Sequence, residues 1–377
     1  MRIACIHQGY ELYGSDRCFA ESVIAMRNAY PDAEIEVVLP RPGPILALLD
    51  QAASRIVFEP IWVLRRRDPW RLATIGPVRF PVAVVRAVRR FRANDLVYVS
   101  TTVVLDHLFA AHWFPGRALL HVHELAEGRT LAVLRRIVRW SRAAIVYNSR
   151  ATQRAFDLPQ PPAAWVIYNG IAGPPRAEPP TYDGTRALRV LMLGRISPGK
   201  GQDVLLAALA ALPAEWRARL AVRIVGSAFE NHAREAALHE AVGAAGLGSI
   251  VTIEPFAADT APLYRWADIA VVPSRTPESL GRVAIEAMAH GRPPLVSGLA
   301  GLAEVVEDGR TGWHVPPGRP DALATALRGI IETPSAWRDF AAAARARYEA
   351  LFSAEAAAAA IVAAVAAMAP GAARDRA

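Results

Sequence analysis

Lys200 is the only lysine in a chain whose other basic side chains, out of 43 Lys and Arg, are all arginine. It lies in Leu191-Met192-Leu193-Gly194-Arg195-Ile196-Ser197-Pro198-Gly199-Lys200-Gly201, which reads as a strand, a Gly/Pro turn and the start of a helix. That layout binds phosphate. Turn glycines admit close backbone approach, the helix start offers unpaired N–H groups and a positive dipole end, and Arg195 and Lys200 add charge. A compact ammonium suits a crowded diphosphate better than a planar guanidinium does. Gly194 to Lys200 also fills the first seven positions of a nucleoside-triphosphatase P-loop. Gly201, however, stands where that loop needs a Ser or Thr hydroxyl for magnesium, and Pro198 lacks an amide donor.

A second constellation is Pro277-Glu278-Ser279-Leu280-Gly281-Arg282-Val283-Ala284-Ile285-Glu286-Ala287-Met288-Ala289-His290-Gly291. Glu278 falls in the loop before a helix and Glu286 inside it. Two carboxylates so separated can grip different hydroxyl-bearing parts of one ligand through charge-assisted hydrogen bonds. Gly281 leaves the helix start open to a phosphate or sugar, and Ser279 and Leu280 supply neighbouring backbone.

Positioning these groups requires α/β architecture. β-rich runs at 3–6, 35–39, 56–58, 96–100, 119–123 and 144–147 alternate with helix-like segments, and the alternation resumes with runs at 188–193, 221–225, 250–253, 269–272 and 294–296. The Pro- and Gly-rich stretch 169–184 between them reads as a linker. The expected plan is two Rossmann-like domains, 1–174 and 175–350, facing each other across a cleft. Residues 351–377 form a C-terminal helix and tail that pack back towards the first domain. Ligands of open α/β sheets bind beyond the carboxyl ends of the strands.

At 377 residues, 53% hydrophobic and 21% charged, the chain has material for two cores and none of the character of a disordered one. Cys5 and Cys18 show no pairing or metal-ligand spacing and read as buried thiols. The first residues open directly as a strand rather than as a signal peptide, and the longest apolar run, 356–369, is short of the roughly 20 residues that cross a bilayer. These features point to the cytoplasm. The net charge of +8 lies wholly in residues 1–172, which hold 22 arginines against 14 acids. Arg65-Arg66-Arg67, Arg71, Arg79, Arg86, Arg89, Arg90 and Arg92 interleave with Trp62, Trp70, Phe80 and Phe91. This mixture suits an anionic membrane surface, with the protein peripheral at the inner face, better than nucleic acid, for which no binding motif is present. A solvated arginine face is the plainer reading.

Taken together, the motifs resemble those of the family 4 glycosyltransferases of the GT-B fold, also described as glycosyltransferase group 1. The match runs through Glu278, seven intervening residues and Glu286, through Gly194-Arg195 and Lys200-Gly201, and on through Val166-Ile167-Tyr168-Asn169-Gly170-Ile171 and Glu304-Val305-Val306-Glu307-Asp308-Gly309. In the first half it rests on Tyr13-Gly14-Ser15-Asp16 and His121-Val122-His123-Glu124. Ser15, Pro255 and Ala303 depart from the usual pattern without removing a charged group. The resemblance implies that Glu278 binds donor-sugar hydroxyls, Glu286 the nucleotide ribose, and Arg195 and Lys200 the departing diphosphate. It also implies that Gly14 faces the donor phosphate and that His123 contacts the transferred sugar.

The resulting expectation is a retaining, metal-independent hexosyltransferase without cofactor. It would take a UDP- or GDP-sugar as donor and a glycan or lipid-linked hydroxyl as acceptor, in cell-surface polysaccharide or glycolipid synthesis. A nucleotide-sugar epimerase and a non-catalytic sugar-nucleotide binder remain as alternatives. A nicotinamide dehydrogenase is disfavoured because the first turn lacks the three-glycine fingerprint.

Overall fold

Residues Ile3 to His7 are buried without the alternation of a half-exposed strand. That pattern belongs to a parallel sheet covered by helices on both faces. A computed structural model describes residues 1–11, 14–63, 76–126, 128–158, 161–228 and 231–368. The chain divides into two units, one made of Met1–Gly170 together with the helix Ala354–Met368, the other of Ile171–Ser353.

In the first unit β1 (Arg2–His7), β2 (Glu34–Leu39), β3 (Arg55–Phe58), β4 (Leu96–Ser100), β5 (Ala118–Val122), β6 (Ala144–Tyr147) and β7 (Ala164–Val166) form one sheet in the order β3-β2-β1-β4-β5-β6-β7. Every pairing is parallel. The second unit has β8 (Leu188–Leu193), β9 (Leu220–Val225), β10 (Val251–Glu254), β11 (Ile269–Val272), β12 (Pro294–Ser297) and β13 (Trp313–Val315) in the order β10-β9-β8-β11-β12-β13, again all parallel. Both are Rossmann-like. Strand order reverses at β1/β4 in one sheet and at β8/β11 in the other, the crevices where such sheets bind ligands.

The expected strands are all present. Sequence reading missed β7 and β13, each three residues long at a sheet edge, too short to show a pattern. The division falls at Gly170/Ile171 rather than 174/175. Ile171 is tied into the second unit, its N–H donating to Phe352 O at 2.9 Å and its carbonyl accepting from Tyr348 Oη at 2.7 Å. The second crossing, Ser353/Ala354, lies three residues beyond the expected 350/351. Helix Ala354–Met368 buries Ile361, Ala364 and Val365 in the same core as Phe19, Val23 and Met26 of helix Gly14–Ala29.

Two members of the basic and aromatic series are not surface groups. Arg90 is held between Glu36, at 2.7 Å, and Glu59, also at 2.7 Å, and Phe91 is fully buried against Phe114. On helix Gly76–Ala93 they lie one turn or less from exposed Arg89 and Arg92, so the helix is amphipathic, and its buried stripe takes these two. Arg65, Arg66, Arg67, Trp70, Arg71 and Tyr13 lie outside the described residues.

Candidate functional site

The carboxyl end of β8 runs directly into the Gly/Pro turn. Gly194 leaves the strand at φ 138° and its N–H donates to Val225 O at 3.1 Å. Lys200 N–H closes a turn onto Ser197 O at 3.0 Å, and Gly201, at φ 79°, starts helix Gln202–Ala211 without any side-chain cap. A Cβ at Gly201 would lie 2.0 Å from Pro273 O, so only glycine lets this turn press against the end of β11. Gln202 Nε2 holds the Arg195 carbonyl at 3.0 Å.

Beyond β11, Ser274 is buried and its hydroxyl donates to Glu278 Oε1. The same carboxylate oxygen receives Lys200 Nζ at 2.8 Å. The sole lysine and the first glutamate of the two motifs, 78 positions apart, therefore meet at the switch point of the second sheet. Both side chains retain partial exposure, 33% and 17%, so a ligand can reach them. Glu278 O in turn accepts the Gly301 N–H at 2.9 Å, and a Cβ on Gly301 would meet the Leu280 backbone at 2.6 Å. Ala300, at φ 49°, introduces that tight approach. The loop 278–281 is thus clamped by backbone from the following βα unit.

Gly281 starts helix Arg282–Ala289 at φ 85°, uncapped by any side chain. Its missing Cβ matters for a second reason, because one would sit 2.4 Å from Leu302 Cδ2. Inside the helix, Glu286 Oε2 accepts from Tyr264 Oη at 3.3 Å. Tyr264 is fully buried and stacked on His290, and burial followed by the neighbouring Glu286 charge raises its phenol well above the ordinary range, so it keeps its proton and donates to the carboxylate. Two uncapped helix starts, Arg195, Lys200, Glu278 and Glu286 thereby belong to one unit. Ser274, Tyr264 and Gly301 were missed by sequence reading. Ser274 directly follows a strand-ending proline, a position that could have flagged it.

In the first unit Gly14 opens helix Gly14–Ala29. Asp16 faces inward, buried, with Oδ1 2.8 Å from His7 Nε2, and His7 stacks on Phe19 at 4.6 Å. His123 follows directly after β5. Its Nε2 lies 3.4 Å from Ser100 Oγ and its ring 4.0 Å from that of His121. Glu124 accepts from Thr102 N at 3.3 Å, Thr102 Oγ1 at 3.1 Å and His123 N at 3.2 Å. Burial raises the Glu124 carboxyl, and these donors offset part of that rise. Burial, then the neighbouring His121 and His7, holds the His123 imidazole well below its ordinary range, and burial takes His121 down to about 3. Both rings are neutral at physiological pH. Thr101, buried at φ 88°, marks backbone strain where β4 ends beside them.

The fold is GT-B. It is shared with HepE of Anabaena, crystallised with UDP, which covers 97% of this chain and 100% of that one at 24% identity and a TM-score of 0.78. Another crystal of HepE holds UDP-glucose. The lipopolysaccharide outer core galactosyltransferase WaaB matches over 97% of this chain and 99% of that one, at 14% identity and a TM-score of 0.76. Residues 187–333, most of the second unit, match the family model of the glycosyl transferases group 1. Over 157 residues the chain is 41% identical to D-inositol 3-phosphate glycosyltransferase 2 of Catenulispora acidiphila, covering 40% of this chain and 36% of that protein. A D-inositol 3-phosphate glycosyltransferase of Nocardioides is 41% identical over 177 residues, 44% of this chain and 38% of that one. The chain spans little more than a third of the length of these curated relatives.

Proposed function

We propose that this protein is a retaining glycosyltransferase that moves a hexosyl group from a nucleoside diphosphate sugar to a hydroxyl of a glycan or lipid-linked acceptor. The observation that carries the reading is the meeting of Lys200 with Glu278 between two uncapped helix starts, with Glu286 one turn into the second helix, on a GT-B scaffold. UDP is the first nucleotide to test, because HepE was crystallised with UDP and with UDP-glucose.

In the bound state Lys200 and Arg195 meet the diphosphate, Glu278 turns its free oxygen to sugar hydroxyls, and Glu286 takes the ribose. The bond from anomeric carbon to phosphate oxygen breaks with its electron pair leaving on the diphosphate. The acceptor oxygen bonds to the same face of that carbon, and its proton passes to the departing phosphate oxygen. Fixed cations and helix N–H groups stabilise the developing charge without reorganising, which is the largest contribution such a site offers. His123, neutral, is the first unit's proposed contact to the sugar. No step requires a metal ion.

Titration calorimetry with UDP-glucose and GDP-mannose, followed by product analysis with a glycan acceptor, tests this reading. Lys200→Ala is expected to weaken donor binding at least tenfold, about 1.4 kcal/mol. Equal binding by wild type and variant, or a changed nucleotide sugar released without acceptor, would refute it.

The place of action we propose is the inner membrane surface, in polysaccharide or glycolipid synthesis. Helix Gly76–Ala93 exposes Val82, Val85, Arg89 and Arg92, and nearby Trp113 and Trp140 are about half exposed in an aromatic series with Phe109 and His112. Apolar and basic groups on one unit fit an anionic headgroup layer. No helix among the described residues is long and apolar enough to cross a membrane. Flotation with anionic vesicles is expected to recover wild type and to lose the variant carrying Arg89→Gln, Arg92→Gln, Trp113→Ala and Trp140→Ala; equal recovery of both discards the proposal.

A further inference from the structure

Cys18, from helix Gly14–Ala29, meets His121 and His123, from the carboxyl end of β5. One ligand atom of each lies within 4.8 Å of the others. His121 and His123 stand two positions apart, so the strand's period of two brings both rings to one face. Two ring nitrogens there are buried without any hydrogen-bond partner, His121 Nε2 and His123 Nδ1. An unmet buried polar atom is costly, and two side by side call for a shared partner.

The tautomer of His121 can be read from its neighbours. Tyr98 Oη donates to Ser22 Oγ at 3.3 Å, and Ser22 Oγ donates to Cys18 O at 2.9 Å. The phenol has spent its one proton on Ser22, so at 2.7 Å from His121 Nδ1 it can only accept. Nδ1 therefore carries the ring proton and Nε2 presents a bare lone pair. A histidine whose far nitrogen is fixed by a hydroxyl in this way is set up as a metal ligand. Cys18 and His121 also line a cavity of about 20 Å³, room for one water, shared with Asn169, whose buried Oδ1 is likewise unpartnered.

We propose that Cys18 Sγ, His121 Nε2 and His123 Nδ1 bind one Zn²⁺ ion, with a water in the adjoining cavity as fourth ligand, held by Asn169 Oδ1. One thiolate and two neutral imidazoles are the donor set of a soft or borderline cation and disfavour Mg²⁺ and Ca²⁺. Binding releases the Cys18 proton to solvent, the bound species carrying a net +1. Burial of both imidazoles, which keeps them neutral, works in the same direction. The ion would fix the His123 ring through Nδ1 and leave Nε2 on its Ser100 side. The site shares only His123 with the transfer reading, and the two tests separate: donor binding by the second unit can fail while the ion binds, and the reverse.

Titration of chelator-treated protein with Co²⁺ tests it. The expected result is saturation at one equivalent with a near-ultraviolet thiolate-to-cobalt charge-transfer band, displaced by Zn²⁺ and untouched by excess Mg²⁺. Cys18→Ser is expected to abolish the band, and His123→Gln to weaken Zn²⁺ at least tenfold against a chromophoric chelator, while Cys5→Ser, the only other thiol, retains the site. If Cys18→Ser does not fold, X-ray absorption of the zinc-loaded wild type decides, with one sulfur and two imidazole neighbours expected. Absence of the band, a band that survives Cys18→Ser, or a shell of oxygen alone overturns the proposal.

Discussion

His121 shows how one side chain can set the acid limit of a fold. Burial lowers its pKa from 6.5 to about 3, so between those values the unfolded chain takes up a proton that the folded chain refuses. Stability from this group is complete above pH 6.5 and is lost as pH falls towards 3, by about 1.4 kcal/mol per pH unit. Thermal melts of the metal-free protein should therefore show the first unit's transition falling steeply across that window, and His121→Gln should flatten the slope even where it lowers the melting temperature at neutral pH. A slope unchanged in the variant would mean that other groups carry the acid sensitivity. The sequence showed His121 and His123 as an i, i+2 pair but could not show Cys18 beside them, since the helix that brings it is fixed by packing a hundred residues away in the chain.

At the scale of elements, the loops that follow β8 and β11 act as a pair. Their glycines are set by contact as well as by φ: Gly201 by the Pro273 carbonyl, Gly281 by Leu302. Gly281→Ala should destabilise the second unit by about 1–3 kcal/mol and weaken donor binding, through strain at φ 85° and the clash together. Gly309→Ala, at φ 69° with nothing within 4 Å, incurs strain without a clash and should cost less. Melting and donor titration of both variants check the order. Both glycine-bearing turns were legible in the sequence because turn chemistry is local. The Lys200–Glu278 pair and the Gly301 contact were not, since they depend on strand order, which brings β8 and β12 beside β11, whereas the Ser274–Glu278 contact is local, four positions apart. The same limit applied to helix Gly76–Ala93, where a run of arginines and aromatics read as one surface although its periodicity buries Arg90 and Phe91.

For the whole molecule, the alternation of strands and helices was enough to read two Rossmann-like units, and even the return of the last helix was expected. The units' limits shifted by three or four residues because backbone pairing between Ile171 and Ser353 sets them, not the proline content of the linker. Removal of residues 354–377 should leave the second unit's calorimetric transition in place and lower that of the first, since Ile361 and Val365 alone bury on the order of 3–6 kcal/mol of apolar stabilisation. Equal loss in both transitions would show that the units unfold together.

The bridge between Ile171 and Ser353 also bears on how the chain is made. The second unit is a continuous insertion whose two ends are held side by side, while the first unit's core is completed only by residues that follow it. On a ribosome, the second unit can close as soon as its own strands emerge. The first unit must hold an unfinished apolar face through the synthesis of some 180 further residues, so its folding is the one that a stalled message would leave incomplete.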